Sequence, residues 1–177
     1  MNKLITIAAL ILTANTATAS NWIIGVGHVD LKSDSMGVKL PGTQLSAGYK
    51  FQPDYSNFSI TTEYSLISGS GDDTYETTVR LGRVNYKLDI KLEIEKAETL
   101  SVRGQYDMSG SYLFGGPIYS RSEITASALG LEVTAEDSDT GYLAGGGLNI
   151  TDNLDVEIGY TKIGSIKSTG LMLRYNF

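Results

Sequence analysis

The 177-residue chain has no cysteine, three prolines, one tryptophan and one histidine. Without cysteine there is no disulfide framework and no thiolate chemistry. The formal charge is −6, so the basic footprint of a nucleic-acid-binding protein is missing. After residue 19 no apolar run approaches the roughly 20 residues that a membrane-spanning helix needs. That excludes a purely helical membrane protein. It does not exclude a strand-built one, whose signal is weaker. Apolar residues make up 41% of the chain, which by itself separates neither class.

What is present begins with a processing segment. Met1-Asn2-Lys3 is a short basic start, Leu4 to Thr13 an apolar run, and Ala17-Thr18-Ala19 a small-x-small site. This is the layout of a secretory signal peptide over 1–19, cleaved after Ala19. The remaining 20–177 form one domain.

The rest of the chain alternates. Leu171, Leu173, Tyr175 and Phe177 fall on one parity, and Met172, Arg174 and Asn176 on the other. A period of two marks a strand with an oily face and a polar face. The same pattern predicts strands over 21–31, 43–52, 57–68, 99–113, 141–150, 154–161 and 169–177. A further run over 77–94 switches its apolar parity from odd to even. Gly82-Arg83-Val84-Asn85 lacks a tight hairpin dipeptide, so the switch predicts a bulge near Gly82-Arg83 rather than a turn between two strands. Residues 115–139 mix glycine, proline, serine and acids. They read as the largest loop, with an outward hairpin within it as the alternative and 129–133 as its one strand-like stretch.

These elements specify an all-β, eight-stranded, antiparallel up-and-down transmembrane β-barrel with both termini periplasmic. The connections after strands two, four and six are short, and those after one, three and five are longer, as in outer-membrane barrels. Trp22, Phe51, Phe58 and Phe177 stand at strand ends beside the short turns or the termini, as an interfacial aromatic girdle requires. Tyr64, Tyr106 and Tyr160 are expected in the upper half of the apolar band. The competing fold is a soluble sandwich or lipocalin-like barrel with its oily face inward. Gly25, Gly27, Gly48, Gly145, Gly147 and Gly159 share the polar parity, which suits a crowded lumen better than a solvated surface.

The residues that carry a family likeness are Ala47-Gly48-Tyr49-Lys50-Phe51 before a turn, and Gly145 to Leu154 leading into Glu157-Ile158-Gly159-Tyr160. A third is the terminal Leu173-Arg174-Tyr175-Asn176-Phe177. In these the chain resembles the small outer-membrane β-barrels of Gram-negative bacteria, of the OmpA/OmpX type and the wider porin-like domain. The resemblance spans 20–177 and is poorest over about 70–140. It implies residence in the outer membrane, with outer-membrane lipid and the barrel-assembly machinery as partners. It also implies that Leu171, Leu173, Tyr175 and Phe177 form the C-terminal assembly signal.

Catalytic chemistry is poorly provided for. The single histidine, His28, shares its face with Trp22 and Val26 and has no assignable partner in the sequence. The glycine groups do not open helices and are not phosphate loops. Asp72-Asp73 reads as a solvated loop tip, and no metal or cofactor is expected. The predicted interior is richer: Lys50, Glu63, Lys87, Asp89, Lys91, Glu93, Arg103, Asp107, Asp155, Glu157 and Arg174 share its face. In a narrow lumen such charges must pair or stay hydrated. The expected function is a non-enzymatic outer-membrane barrel with a packed, charged interior, acting through extracellular loops on a ligand or surface. The alternatives are a narrow channel for ions or small solutes, and a lipid-modifying enzyme or protease.

Overall fold

The computed structural model describes residues 21–33, 39–54, 56–81, 84–128 and 131–177, with backbone alone at 70–81, 84–89 and 91–95. The expected signal peptide lies outside these residues. Eight strands form: β1 Trp22–Ser33, β2 Lys39–Phe51, β3 Phe58–Leu81, β4 Val84–Met108, β5 Ser111–Ala128, β6 Leu131–Asn149, β7 Leu154–Ile163 and β8 Ile166–Asn176. Each pairs antiparallel with the next, and β8 returns to β1 to close the barrel. Ile24 faces Tyr175 and Val26 faces Leu173 across the closure, so no edge is left open.

Both ends of the described chain lie at one end of the barrel, here the terminal end, with the turns 52–57, 109–110 and 150–153. The terminal-end turns are tied to the strands beside them. Thr151 Oγ1 accepts from the Leu154 amide at 3.0 Å, and Asn153 Nδ2 donates to the Asn176 carbonyl at 2.9 Å. Two tight reversals need glycine at positive φ: Gly110 at 76° after Met108, and Gly164 at 52° before Ile166.

The middle of the chain differs from the sequence expectation. β3 runs to Leu81 and β4 starts at Val84, and these two residues face each other antiparallel. The chain therefore reverses between Leu81 and Val84 rather than running on as one strand, and the bulge expected at Gly82-Arg83 falls outside the described residues. A register shift does occur, but between Ile94 and Lys96. The predicted strands over 77–94 and 99–113 are thus the end of β3, the whole of β4 and the start of β5. The 115–139 segment takes the outward-hairpin alternative on a larger scale: it is most of a long hairpin, β5–β6, paired from Ser111↔Leu148 to Ala128↔Leu131. Length asymmetry is present, but it resides in strands and not in loops: β3 to β6 have 18 to 25 residues, while β1, β2, β7 and β8 have 10 to 13. The extra length of β3–β4 and β5–β6 projects from the far end.

Local reasons for the misreading are visible. At 131–140 every residue is exposed, so neither face selects apolar side chains and no period of two appears. Pro117 sits inside β5, where it cannot donate to a ladder. The β4–β5 bridges stop at Ser101↔Ile118 and resume at Gly104↔Gly115 in unchanged register. Gly116 meets Val102 there: a Cβ on it would come within 2.1 Å of the Val102 carbonyl oxygen.

Burial is inverted relative to a soluble protein. Arg103, Glu157 and Arg174 face the lumen at 2%, 2% and 3% exposure, while Ile158, Leu113 and Leu171 stand outside at 66%, 59% and 58%. A water-soluble barrel would gain nothing from this arrangement, because exposed apolar area is unfavourable and buried charge is costly. Around the wall the outward apolar residues form a belt: Trp22 to Val26, Tyr49, Phe58 to Tyr64, Leu100 to Met108, Ile158 and Leu171 to Tyr175. A closed antiparallel wall with such a belt satisfies every backbone ladder internally, as a hydrocarbon solvent demands.

Candidate functional site

The alternation of five strands brings one charged cluster to the middle of the lumen. Glu63 arrives from β3, Arg103 from β4, Glu157 from β7 and Arg174 from β8, with Tyr112 and Phe114 from β5. Arg174 Nη2 donates to Glu63 Oε2 at 2.5 Å, and its Nε lies 2.5 Å from Glu157 Oε2. Arg103 grips the same carboxylate as a fork, Nη1 to Oε2 at 3.0 Å and Nη2 to Oε1 at 2.9 Å. Its Nε stands 3.9 Å from Glu63 Oε2. The Tyr112 hydroxyl donates to Glu157 Oε1 at 2.8 Å, and the Arg103 guanidinium lies 4.5 Å over the Phe114 ring. Two carboxylates and two guanidiniums make the cluster neutral, which is the condition under which buried charges persist.

Glycines make room for it. A Cβ at Gly147 would come within 2.2 Å of the Tyr112 ring, and one at Gly145 within 2.5 Å of Phe114 Cζ. Gly147→Val is therefore expected to push Tyr112 off Glu157 and cost about 1–3 kcal/mol, read as a lower urea midpoint of the purified barrel. An unchanged midpoint would mean that the tyrosine has another place to go.

A second polar group lines the terminal end, around an open cavity of about 340 Å³. Lys50 Nζ lies 3.4 Å from Asp107 Oδ2, Gln105 Nε2 donates to Asp107 Oδ1 at 2.6 Å, and Asn176 Nδ2 donates to Asp155 Oδ2 at 2.7 Å. Toward the far end the lumen holds two small chambers. One, of about 70 Å³, has the charged cluster as its floor. The other, of about 100 Å³, lies above it, walled by Leu31, Ile67, Ile118, Ile124 and Ile166, with Asp137 and Asp139 at its rim.

Seven of the eleven expected interior charges therefore meet in two groups: Glu63, Arg103, Glu157 and Arg174 at mid-lumen, and Lys50, Asp107 and Asp155 at the terminal end. The side chains of Lys87, Asp89, Lys91 and Glu93 lie outside the described ones. Their backbones sit on β4 beyond the Ile94/Lys96 register shift, so shared parity no longer places them on the face of Arg103. Tyr112, Phe114, Asp137 and Asp139 were missed. Even parity from Tyr112 through Phe114, Gly116, Ile118 and Ser120 was the available signal, hidden by the Gly-Gly-Pro run.

The expected interfacial aromatics stand on the outer wall. Trp22, Phe51 and Phe58 are exposed at the terminal end, and Tyr64 lies higher. Tyr106 does not. It faces Phe58 across β3–β4, because β4 descends where an ascending strand was expected, and so belongs to the terminal-end ring. Tyr160 packs on Tyr142 with ring centroids 6.4 Å apart, Tyr142 being an addition to the expected set. At the C-terminus Tyr175 and Phe177 meet edge to face at 5.0 Å, and the Phe177 amide donates to the Trp22 carbonyl at 3.0 Å. Leu171 and Leu173 face outward below the far end.

His28 does have a partner that sequence spacing did not suggest. Its Nε2 lies 3.2 Å from Asp30 Oδ1, both exposed on the outer wall. Beyond the apolar belt, Lys96 bonds Glu98, which holds that carboxyl below the usual carboxylate range. Arg121 pairs with Glu136 at 2.7 Å.

Comparison with known proteins places this geometry. No curated protein sequence matches the chain. Among solved structures, the Neisserial surface protein A superposes with a TM-score of 0.58 at 18% identity, covering 91% of this chain and all of the other. The attachment invasion locus protein Ail of Yersinia pestis superposes at 0.57 with 16% identity, covering 90% of this chain and all of that one. Ail has also been solved with the heparin analogue sucrose octasulfate. At these identities the likeness is one of fold. The family model for the outer membrane protein beta-barrel domain matches residues 4–177. The chain belongs to the outer membrane protein β-barrel domain family.

Proposed function

We propose that this protein is a non-enzymatic surface barrel of the outer membrane whose lumen is a sealed structural core and whose far-end hairpins make its external contacts. The cross-link of Glu63, Arg103, Glu157 and Arg174 carries this reading. It ties four strands across the lumen and leaves above it chambers of about 70 and 100 Å³. Chambers of this size take a few waters each, and on this reading the cross-link beneath them blocks passage. The reading includes export by the 1–19 signal peptide, the terminal end in the periplasm, and Leu171, Leu173, Tyr175 and Phe177 as the signal read by the assembly machinery.

The external partner follows from charge. The β5–β6 hairpin carries Glu123, Glu132, Glu136, Asp137 and Asp139 against Arg121. A sulfated ligand such as the one bound by Ail does not suit this hairpin; a cationic surface does.

Two measurements test the reading. Reconstituted in planar bilayers, the protein should show no stable conductance of the open-porin kind; steady channels of that size would favour the narrow-channel alternative and overturn the sealed core. The absence of cysteine makes single labels clean. A Ser165→Cys variant in the β7–β8 turn should react with an impermeant maleimide on whole cells, and an Asn153→Cys variant should not. The reverse pattern would invert the orientation.

A further inference from the structure

The pairing register aligns four lysines on the outside of the far end. Lys39 on β2 faces Lys32 on β1, Lys32 faces Lys167 on β8, and Lys167 faces Lys162 on β7. Their neighbours Leu31, Thr161, Ile163, Ile166 and Ser168 line the lumen chamber, and Leu40 packs on the inner apolar cluster. Strand alternation therefore puts all four lysines on the outer wall. Three inter-strand steps of about 4.8 Å give a row roughly 14 Å long.

The row stands above the apolar belt, separated from it on β1 by His28 and Asp30. Lys162 follows outward Tyr160 and Ile158 on β7; Lys167 stands above outward Leu171 on β8. Like charges directly opposed across a ladder repel. Among the described outward positions of β1, β2, β7 and β8, Asp30 is the one acid, and it bonds His28. On the β4–β6 wall Lys96 stands beside Glu98 and Arg121 beside Glu136. Lys39 and Lys167 also interact elsewhere in the chain. What the row offers an anion is the spacing of four ammonium groups at the rim of a lipid-facing belt. In a chain of net charge −6 this is a local reversal of sign.

We infer that the row Lys39–Lys32–Lys167–Lys162 binds the phosphate groups of a phosphorylated glycolipid in the outer leaflet. A membrane lipid fits better than a soluble anion because its acyl chains can lie on Val26, Ile158 and Leu171, two to three outward positions below the charges. The inference rests on the far end facing outward. Micelles have no sidedness, so the test below is independent of that orientation, which the Ser165→Cys labelling reports separately.

The purified full-length barrel in zwitterionic micelles is mixed with diphosphoryl lipid A or with the same lipid stripped of its phosphates. Lipid retained per barrel is counted by native mass spectrometry. Retention of the phosphorylated form should exceed that of the stripped form by about tenfold or more, as expected for several lysines acting on one anionic headgroup. Combining Lys32→Gln, Lys39→Gln, Lys162→Gln and Lys167→Gln should reduce it to the stripped level. Lys96→Gln with Arg121→Gln should leave it unchanged. Equal retention of the two lipids by the parent protein, or a glutamine variant that behaves like the parent, would overturn the inference. Competition by inorganic phosphate at equal concentration would replace the lipid with a free anion. Should the fourfold variant not fold, the two-lipid comparison on the parent still decides.

Discussion

Glu157→Ala is expected to lower the unfolding free energy of the refolded barrel by about 3–5 kcal/mol, the range for breaking a buried charge network from one side. Glu157 is the hub: it accepts from Arg103 Nη1 and the Tyr112 hydroxyl, and it pairs in charge with Arg103 Nη2 and Arg174 Nε. Without it two buried guanidiniums share Glu63 alone, and the phenol loses its acceptor. Glu157→Gln keeps the shape and one acceptor, so it should cost less than alanine while still leaving net positive charge in the lumen. Urea titration of the barrel in lipid vesicles, read by the fluorescence of Trp22, measures both. A midpoint within error of the parent for Glu157→Ala would show that water solvates the cluster fully, and the sealed core would fall with it.

Deleting Phe177 should separate assembly from stability. In the folded barrel the residue contributes one amide bond to the Trp22 carbonyl and one edge-to-face contact with Tyr175. These are worth about 0.5–1.5 kcal/mol each. The purified, refolded deletion variant should therefore keep its heat-modifiable migration with a modest loss of stability. On the proposed signal role its level in the outer membrane should nevertheless collapse, because the terminal aromatic of that signal would be missing during assembly. Parent levels in the membrane fraction would dismiss the signal role. A purified variant that cannot refold would make the defect one of stability.

Much of the wall was legible in sequence because lipid imposes a strict rule on it. Where one strand face meets hydrocarbon, as in Leu171-Met-Leu173-Arg-Tyr175 or Leu154-Asp-Val156-Glu-Ile158, every second residue is apolar and the period is plain. Where a strand leaves the membrane the rule lapses. Residues 131–140 have water on both faces, and a hairpin there looks like a loop. The reversal between Leu81 and Val84 was read as a bulge because a parity switch has two causes, an extra residue or a new strand. Only the Leu81↔Val84 pairing separates them. Tyr106 was placed at the wrong height for the same reason, since a strand's direction is a property of its connections.

By itself, then, the sequence determined that the chain is built of alternating strands, that one face is oily, and that the other collects both signs of charge with small residues between. It indicated which face is inside only through the glycines on the charged parity and the aromatics at strand ends. Alternation is symmetric, and a soluble barrel and a membrane barrel share the same period. Closure of β8 on β1 decided it: the bulky apolar side chains take the convex side, and the narrow lumen accepts glycines and a neutral charge cluster. Tertiary structure also decided which charges meet. Glu63 and Arg174 are 111 residues apart, and no local spacing links them. The four lysines come together from four strands in the same way, because only the register of a closed sheet sets residues from opposite ends of the chain side by side.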